Sequence, residues 1–531
     1  MPYDLLVRNG TIHDGTGAPP FRGDIGIAQG RIVAVGLLET PGNDTIDATG
    51  LVVAPGFIDL HTHSDISFLL DPDAQSKVRQ GVTLELAGNC GMSMGAPLIG
   101  EARRALQDRV ASYGVALPTD WTTFGEYLER VEKARPPLNL ACQVGHGSVR
   151  MAVLGWADRA PTPQELEAMR ALVAESLDAG AMGFSTGLFY APGSYARTEE
   201  VIELAREASK RGKLYSSHIR DEGDYSVGLF NAVQEAIEIG RMAGVRVQVS
   251  HLKCMGPSTW GKAEVLLERL ERGRAEGVDV AGDQYPYTAG STYLAAAAFP
   301  RWAQVGGRDA LLQNLRDASF QARLRIAIAD NYARRGGAER VVIAYLPQQR
   351  ELEGLSIAQI AERWGVDPVE ATLRVYQEGE AFAVIHQMEE EDVERIAGYP
   401  WAAVGSDGSS LRTEGPLSAG KPHPRSYGCF PRFLARYWRE RRRVNLEEAI
   451  RKMTFLPASR LGLTHRGRIA PGYWADVVCF DPKSVGDTAT FQEPHRYPQG
   501  IPHVVVNGVP VVRNGEYTRQ RPGKVLRRFE D

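Results

Sequence analysis

The sequence lacks the features that tie a chain to a membrane or to nucleic acid. It contains no apolar run of about 18 residues, so no membrane-spanning helix is predicted. Its 61 lysines and arginines are outnumbered by 65 aspartates and glutamates, and the net charge of −4 provides no basic surface for nucleic acid or anionic lipid. The first residues show no basic segment followed by an apolar one, which argues against secretion. We therefore expect a soluble, cytoplasmic protein without a nucleic-acid or membrane partner.

Cysteine is also scarce. The chain has five cysteines, scattered along the sequence, and an odd number does not make a disulfide framework. A cysteine that stays reduced is available as a metal ligand. With 531 residues, 43% of them hydrophobic and 24% charged, the chain can form a sizeable core and is too long for one small domain. A large domain with a smaller one is the natural expectation.

Short apolar strands occur at both ends of the chain. The N-terminal strands are separated by the turn signals Asn9-Gly10 and Gln29-Gly30, and strands of the same texture return near the C-terminus. We predict that residues 1–55 and 456–531 together build one small β-sandwich domain; the alternative is that each end only decorates the central domain. The predicted strands are Tyr3–Arg8, Asp24–Ile27, Arg31–Val35, Ala475–Phe480, His503–Val506 and Val511–Arg513.

The long middle of the chain, residues 56–455, alternates apolar strands with amphipathic stretches such as Glu199–Arg211 and Lys262–Arg274. This repetition predicts an α/β fold, a (β/α)8 TIM-like barrel that carries the catalytic site. One interval, about 290–400, holds far more chain than one helix needs, so we predict an insertion between strands 7 and 8. The candidate strands are Leu138–Val144, Ala181–Ser185, Leu214–His218, Arg246–His251, Val278–Gln284 and Ala402–Ser406.

Two histidines end the first apolar segment of this barrel. Leu51–Pro55 and the following Gly56–His63 are interpreted as one short buried strand. Because residues two apart in a strand point to the same face, His61 and His63 are expected to project together and to form half of a transition-metal site. Considered alone, the pair is equally compatible with two ordinary core or surface histidines.

Other strand ends carry metal-capable or reactive side chains. Cys90, His218, His251 and Asp407 each end or closely follow a predicted strand, and Lys253 lies two residues after His251. Active sites of such barrels lie at the C-terminal ends of the strands. Each residue alone could be structural, and Cys90 alone is better interpreted as an inert buried thiol. Their shared position at one end of the barrel makes a common site the better interpretation.

The order of these residues resembles that of the amidohydrolase superfamily. The resemblance covers nearly the whole chain and is most specific toward the D-aminoacylase (N-acyl-D-amino-acid deacylase) branch. The segments that carry it are Glu85–Pro97, Gly187–Gly193, Ser250–Lys253, Tyr285–Tyr287, Ser406–Gly408 and His423–Arg425.

The resemblance implies a zinc enzyme. Many superfamily members bridge two metals with a lysine near strand 4, but the corresponding Met182–Gly187 contains no lysine. In the D-aminoacylase branch a cysteine after strand 2 takes over, and Cys90 matches that cysteine. Thiolate and imidazole ligands together suit zinc. The implied ligands of one tight Zn2+ are Cys90, His218 and His251, and a weaker second position is surrounded by His61, His63 and Asp407.

The resemblance also implies the reaction. A small-molecule N-acyl-D-amino acid is hydrolysed to a carboxylate and a free D-amino acid, with Asp407 taking a proton from water and delivering it to the leaving nitrogen. The α-carboxylate of such a substrate requires cationic donors and phenols beside the metal. The residues that match the family's substrate-binding positions are Lys253, Arg425, Tyr190 and Tyr285.

The side-chain preference of the enzyme is predicted from the run after Tyr287. Leu294–Phe299 is largely apolar and small, and we expect it to line the pocket for the substrate side chain and to favour neutral apolar substrates. Arg301 would favour acidic substrates if it pointed inward, and we expect it to point outside.

Two other classes of protein remain open. A cyclic-amide hydrolase of the hydantoinase or dihydroorotase kind is the first, and the missing strand-4 lysine and the presence of Cys90 count against it. A non-catalytic protein that kept the fold is the second, and the retention of Asp407 along with every ligand disfavours it. The oligomeric state is not predicted.

Overall fold

The computed structural model of the protein describes residues 2–113 and 115–531. The chain begins with five strands of one mixed sheet: β1 (Tyr3–Ile12), β2 (Phe21–Ala28), β3 (Arg31–Gly36), β4 (Gly42–Asp47) and β5 (Val52–Pro55). The predicted turn at Gln29-Gly30 joins β2 to β3, and both residues have positive φ, as a tight hairpin requires. Asn9-Gly10, expected as a second turn, instead lies inside β1 at a bulge in its pairing with β2.

The next seven strands run parallel and side by side in chain order, as the strands of a barrel do. All of their residues are buried, including polar ones such as Gln143 and Asp283. They are β6 (Phe57–Asp59), β7 (Val82–Ala87), β8 (Asn139–Gly145), β9 (Gly183–Gly187), β10 (Leu214–His218), β11 (Val247–Val249) and β12 (Val280–Gln284).

Helices follow the barrel strands. Two of them begin at capping boxes, Thr123 with Glu126 and Thr162 with Glu165, which satisfy the first free backbone N–H groups. The helices are α1 (Ser67–Leu70), α2 (Glu101–Ser112), α3 (Phe124–Ala134), α4 (His146–Leu154), α5 (Pro163–Ala179), α6 (Thr198–Ser209), α7 (Leu229–Ala243) and α8 (Ala263–Ala275). Among the described residues no helix is both long enough and apolar enough to span a membrane.

The predicted insertion is confirmed between the seventh and eighth barrel strands. It contains a separate antiparallel sheet in the order β13-β15-β14 and its own apolar core, which extends from Leu294 to Ile385. Its strands are β13 (Ala289–Tyr293), β14 (Val341–Tyr345) and β15 (Phe382–His386). Its helices are α9 (Leu294–Ala298), α10 (Gly307–Asn314), α11 (Ala318–Arg335), α12 (Ile357–Trp364) and α13 (Pro368–Glu378), and α14 (Glu390–Ala397) leads back to the barrel.

The eighth barrel strand, β16 (Ala402–Val404), pairs with β12, and the ring closes just beyond its end. There Thr62 pairs with Gly408 in a parallel bridge. The Asp407 backbone N–H donates to the His61 carbonyl at 2.8 Å, and the His63 N–H donates to the Gly408 carbonyl at 2.8 Å. Residues singled out from the sequence as a site thus form the seam that closes the barrel.

The last part of the chain returns to the first sheet. After α15 (Arg425–Arg432), a π-helical stretch (Phe433–Glu440), α16 (Leu446–Met453) and α17 (Phe455–Leu461), it forms β17 (Val477–Phe480), β18 (His503–Val506), β19 (Val509–Arg513) and β20 (Glu516–Tyr517). Strand β17 pairs with β5, so strands from both termini form one sheet of nine strands. The predicted fold, a barrel with a small β-unit from both termini, is confirmed; the domain limits at 55/56 and 455/456 stay a prediction.

The segment interpreted as one strand ending on two histidines is instead two strands. Strand β5 belongs to the terminal sheet and β6 to the barrel, and the chain passes between the sheets at Gly56. A Cβ at this position would lie 2.2 Å from Thr83 Oγ1, so only glycine fits there. The sequence pattern missed this break because both strands are apolar and fully buried.

A buried ion pair lies beneath the barrel seam. Lys77 Nζ is 2.7 Å from Asp59 Oδ2, and neither side chain is exposed to solvent. The same ammonium donates a hydrogen bond to the Ser406 hydroxyl, and Asp59 Oδ1 accepts the Ser406 N–H at 2.9 Å. This network joins the first barrel strand to the residue that directly precedes Asp407.

We expect Lys77→Met to lower the free energy of unfolding by about 3–5 kcal/mol, because it leaves the Asp59 carboxylate buried without its partner. Urea denaturation measures this loss. Adding Asp59→Asn to the variant should recover much of it, since the uncompensated charge is then removed. Lys483→Met, at an exposed lysine, is the control. A loss in Lys77→Met no larger than in that control would contradict a supporting role for the pair.

Candidate metal centre and active site

Three of the predicted site residues have left-handed backbone conformations. The φ angles are 54° at Cys90, 38° at His251 and 52° at Asp407. Such angles cost a residue other than glycine of order 1–3 kcal/mol and persist only where the surroundings impose them. The surroundings do so here, since the His251 N–H donates to Asp283 Oδ1 at 2.8 Å and the Asp407 N–H donates across the barrel seam. The backbone at the strand ends thus aims these side chains toward one point.

Cys90 lies between two histidines where these side chains converge. Its Sγ is 3.3 Å from His61 Nε2 and 3.5 Å from His251 Nε2, and all three residues are buried. One potential ligand atom from each of these residues and from Asp407 lies within 4.8 Å of the others. Burial raises the pKa of the Cys90 thiol, but the charge of His61 and hydrogen bonds with the histidines outweigh it and hold this pKa well below its usual range. The thiolate, which is the form that binds metal, is therefore favoured.

A second cluster adjoins the first. His218, Glu222 and His251 each bring a potential ligand atom within 4.8 Å of the others, so His251 is common to both clusters. Neither ring nitrogen of His218 forms a hydrogen bond with the described residues, although both are buried; Glu222 Oε2 lies 3.6 Å from Nε2, just beyond hydrogen-bond distance. An unpartnered buried imidazole is costly in a folded protein unless it binds something. The thiolate, the imidazoles and this free imidazole together fit a zinc ion.

Asp407 lies against these histidines and an arginine. Its Oδ1 is 3.0 Å from His63 Nε2 and 3.4 Å from His61 Nε2, and its Oδ2 is 2.8 Å from Arg425 Nη1. Burial raises the pKa of Asp407, but Arg425 and His251 outweigh this effect and hold the pKa well below its usual range. His61 and His63 thus converge on Asp407, as the sequence predicts for a shared position.

The four predicted substrate-binding residues also surround the centre. Lys253 Nζ is 2.6 Å from Glu222 Oε1, and Arg425 is paired with Asp407. The ring of Tyr285 lies under both cations, 5.5 Å from Lys253 Nζ and 4.8 Å from Arg425 Cζ. The Tyr190 hydroxyl accepts a hydrogen bond from Thr292 of the insertion at 3.2 Å, and its ring centroid is 4.7 Å from that of His218.

Two acidic residues at the centre were missed in the sequence. Asp283 Oδ1 is 3.2 Å from His61 Nδ1, and Glu222 Oε1 is 2.9 Å from His251 Nδ1. Asp283 lies inside a predicted barrel strand, and a carboxylate within a segment expected to be buried is the feature of the sequence that could have identified it. Glu222 lies in the loop after β10, four residues beyond His218, and no pattern in the sequence distinguishes it from other loop acids.

Two premises of the predicted side-chain preference are wrong. Leu294–Phe299 does not line the substrate pocket but packs in the core of the insertion, where the Phe299 ring is 4.7 Å from that of Tyr376. Arg301 does not point outside: it is half-buried, its guanidinium lies 5.1 Å from the Tyr225 ring, and its Nη2 donates to the Arg220 carbonyl at 2.5 Å. A run of small apolar residues is found both in pocket walls and in protein cores, so the sequence of this run does not show which of the two it forms.

The architecture, with paired histidines after the first barrel strand and a carboxylate after the eighth, defines a metal-dependent hydrolase of the barrel type. The sequence model of the amidohydrolase family matches residues 44–512. The chain therefore belongs to the amidohydrolase family.

Similar proteins within that family include D-aminoacylases and N-acyl-D-amino-acid deacylases. The N-acyl-D-glutamate deacylase of Alcaligenes xylosoxydans xylosoxydans is 40% identical over 99% of this chain and 96% of its own. The N-acyl-D-glutamate deacylase of Bordetella bronchiseptica, solved with zinc and a phosphonate inhibitor that mimics the tetrahedral intermediate, matches with a TM-score of 0.83 and 38% identity over 99% of this chain and 100% of its own. A D-aminoacylase structure matches with a TM-score of 0.84 and 36% identity over 99% and 100% of the two chains.

We expect Cys90→Ala to lose bound zinc and activity together, because the thiolate lies centrally among the histidines. Metal analysis after dialysis should find one equivalent of zinc per chain in the parent protein. Cys142→Ala is a matched control: Cys142 is a buried thiol on the adjacent strand β8, and its partner is the Tyr127 hydroxyl at 3.6 Å. Full zinc retention in Cys90→Ala, or two tight equivalents in the parent, would contradict the expectation.

Proposed function

We propose that this protein hydrolyses N-acyl-D-amino acids to a carboxylate and a free D-amino acid, with zinc as its cofactor. The observation that carries the proposal is the Cys90 thiolate among His61 and His251, beside Asp407, at the mouth of an amidohydrolase barrel whose fourth strand has no lysine. The relatives that share this chain's length are named for the same chemistry.

The metal is assigned to residues of both clusters. One tight Zn2+ would be held by Cys90, His218 and His251, and a weaker second position would be surrounded by His61, His63 and Asp407. Support comes from the unpartnered nitrogens of His218 and the thiolate at Cys90. Zinc bound there supplies a Lewis acid that polarises the amide carbonyl and brings the pKa of water to about 7.

Asp407 moves the proton in this mechanism. Its carboxylate lies 3.4 Å from His61 Nε2 and within 4.8 Å of the other potential metal ligands of the first cluster, where it is placed to accept the proton of the attacking water. An amine is a poor leaving group unless it is protonated, and the same carboxyl then delivers the proton to the nitrogen. His63, which contacts Asp407 at 3.0 Å, and Arg425 hold the carboxylate in position for both steps.

The α-carboxylate of the substrate is assigned to Lys253, Arg425, Tyr190 and Tyr285. Both cations are paired with carboxylates of the protein, Glu222 and Asp407, and are buried. The carboxylate of the substrate would bind to these two cations in addition to the protein carboxylates. The Tyr285 ring packs against both cations, and its hydroxyl adds a hydrogen-bond donor. When the α-carboxylate and the acyl carbon of the substrate are both held in place, the side chain on Cα can point in only one direction for each enantiomer. The site can therefore distinguish D- from L-substrates.

Hydrolysis of cyclic amides and a non-catalytic role are the rival functions. A comparison of steady-state rates on N-acetyl-D-amino acids and on hydantoins separates the first from the proposal, and faster hydantoin hydrolysis would overturn it. Bound zinc without turnover of either class would support a non-catalytic protein. Equal rates on L-enantiomers would contradict the carboxylate assignment.

We expect Asp407→Asn to keep zinc and fold but to lose activity by at least ~10²-fold, the lower end for a positioned acid–base group. The measurement is kcat on an N-acetyl-D-amino acid, with zinc content and circular dichroism recorded on the same sample. Asp392→Asn removes another buried carboxylate, one that accepts backbone N–H bonds at the start of α8, and should leave kcat near the parent value. A kcat near that of the parent in Asp407→Asn would remove Asp407 from the mechanism.

Arg301 is assigned as the residue that binds the substrate side chain and so decides which class of side chain is preferred. The guanidinium lies beside the carbonyl of Arg220, two residues beyond His218, and its Nε is buried without a hydrogen-bond partner. Among the described residues no carboxylate forms an ion pair with it. A carboxylate on the substrate would satisfy this cation, which makes acidic side chains the better candidate now that Leu294–Phe299 lies in the insertion core.

We expect N-acetyl-D-glutamate or N-acetyl-D-aspartate to have a higher kcat/KM than N-acetyl-D-leucine or N-acetyl-D-methionine. Arg301→Ala should reduce kcat/KM for the acidic pair by at least about tenfold, the loss expected for one charge-assisted hydrogen bond of about 1.5–3 kcal/mol, and leave the neutral pair unchanged. Arg323→Ala removes an arginine stacked on Trp302 at the outer side of the same segment and serves as control. A preference for neutral substrates that persists in Arg301→Ala would restore the expectation drawn from the sequence.

A further inference from the structure

Glu222 contacts three basic groups of the centre at once. Its Oε1 is 2.9 Å from His251 Nδ1 and 2.6 Å from Lys253 Nζ, and its Oε2 is 3.6 Å from His218 Nε2. All four side chains are buried. One carboxylate therefore joins both histidines of the proposed tight metal position to the lysine proposed to bind the substrate.

The loop that carries Glu222 is held by hydrogen bonds to its own backbone. The preceding residue, Asp221, accepts backbone hydrogen bonds from Gly223, Tyr225 and Gly228 at 2.9–3.2 Å and a further one from the Ser226 N–H. The Met255 N–H also donates to the Glu222 carbonyl at 2.9 Å. The loop therefore fixes the backbone at Glu222 without the help of the three contacts of its carboxylate.

A donor and an acceptor, Lys253 and Glu222, compete for the same ring nitrogen of His251. Lys253 Nζ is 2.8 Å from His251 Nδ1, close enough to donate a hydrogen bond to it. If Nδ1 accepted that bond, the neutral ring would carry its hydrogen on Nε2, the nitrogen that faces Cys90 Sγ, and Nε2 would have no lone pair for a metal. If Nδ1 instead donates to Glu222, Nε2 keeps its lone pair. The carboxylate also draws the Lys253 ammonium to itself.

We propose that Glu222 is a positioning residue that selects the metal-binding tautomer of His251 by accepting its Nδ1 proton and by diverting Lys253 from that nitrogen. This inference rests on the proposed zinc site and deepens it. Hydrogen bonds from a ligand histidine to a carboxylate are general in metalloproteins, and losing one costs about 10- to 100-fold in metal affinity. Here the carboxylate has a second task, because a competing donor lies within reach of the same nitrogen.

The test is zinc affinity, measured without substrate by chelator competition, in two single variants and their combination. Glu222→Gln keeps the shape of the side chain but attracts Lys253 less, so the lysine donates to His251 and zinc binding should weaken by about 10- to 100-fold. Lys253→Met alone should keep the zinc affinity of the parent and raise KM. Combining Lys253→Met with Glu222→Gln should restore most of the lost affinity, since the competing donor is gone.

Two outcomes would overturn the inference. Unchanged zinc affinity in Glu222→Gln means that the carboxylate does not control the tautomer. Equally weak binding in Glu222→Gln and in the double variant means that Glu222 acts as a direct ligand or through packing. Glu200→Gln is the matched control: Glu200 is also buried against a histidine and a cation, His146 at 2.9 Å and Arg150 at 2.6 Å, and its loss should not change zinc affinity. If Glu222→Gln does not fold, Glu222→Asp, which withdraws the carboxylate, takes its place.

Measurements of zinc binding and hydrolysis on the parent protein distinguish a failure of this inference from a failure of the proposed function. If the parent binds no zinc or does not hydrolyse N-acetyl-D-amino acids, the proposed function fails before any variant is compared. If the parent does both and the double variant recovers no affinity, the function stands and only the role of Glu222 is wrong.

Discussion

The seam between the first and last barrel strands is the constraint on which the site depends. Lys77 and Asp59 form a buried ion pair there, and both hydrogen-bond to Ser406, the residue before Asp407. Two backbone hydrogen bonds then join the His61–His63 segment to Asp407 and Gly408. Residues more than 340 positions apart in the chain are thereby held at hydrogen-bond distance, and the buried charges make any other register of the seam costly.

Charge of both signs is gathered at the centre and removed from water. The Cys90 sulfur and the carboxylates of Glu222, Asp283 and Asp407 contact four histidines, while Lys253 and Arg425 each hold one carboxylate. Buried charges of this kind are tolerated only when each is paired, and they interact more strongly than they would in water. The arrangement holds polar groups in place, so that they need little reorientation during reaction, which is how enzymes gain most from electrostatics.

The insertion contributes a wall to the site while folding around its own core. Strand β13 brings Thr292 to the Tyr190 hydroxyl and the Ser291 carbonyl to Arg425, at 3.2 and 3.4 Å. A Cβ at Gly290 would lie 3.2 Å from the Tyr285 hydroxyl, so the strand approaches the site closely. Arg301, which follows in the same segment, reaches the loop beyond β10. The barrel thus carries the proposed chemistry, and the insertion supplies Arg301, the residue proposed to contact the substrate side chain.

The sequence by itself determined the barrel, the insertion and the terminal sheet, because alternating strands and helices are local patterns that burial imposes on each segment. It also indicated that Cys90, His218, His251 and Asp407 share one end of the barrel, since strand ends meet there. Only the tertiary structure decided what those side chains contact: Glu222 on His251 and Lys253, Asp283 on His61, and Leu294–Phe299 in a core instead of a pocket. A local pattern states whether a residue is buried, whereas its partner comes from strands and loops distant in the chain, and only folding brings these together.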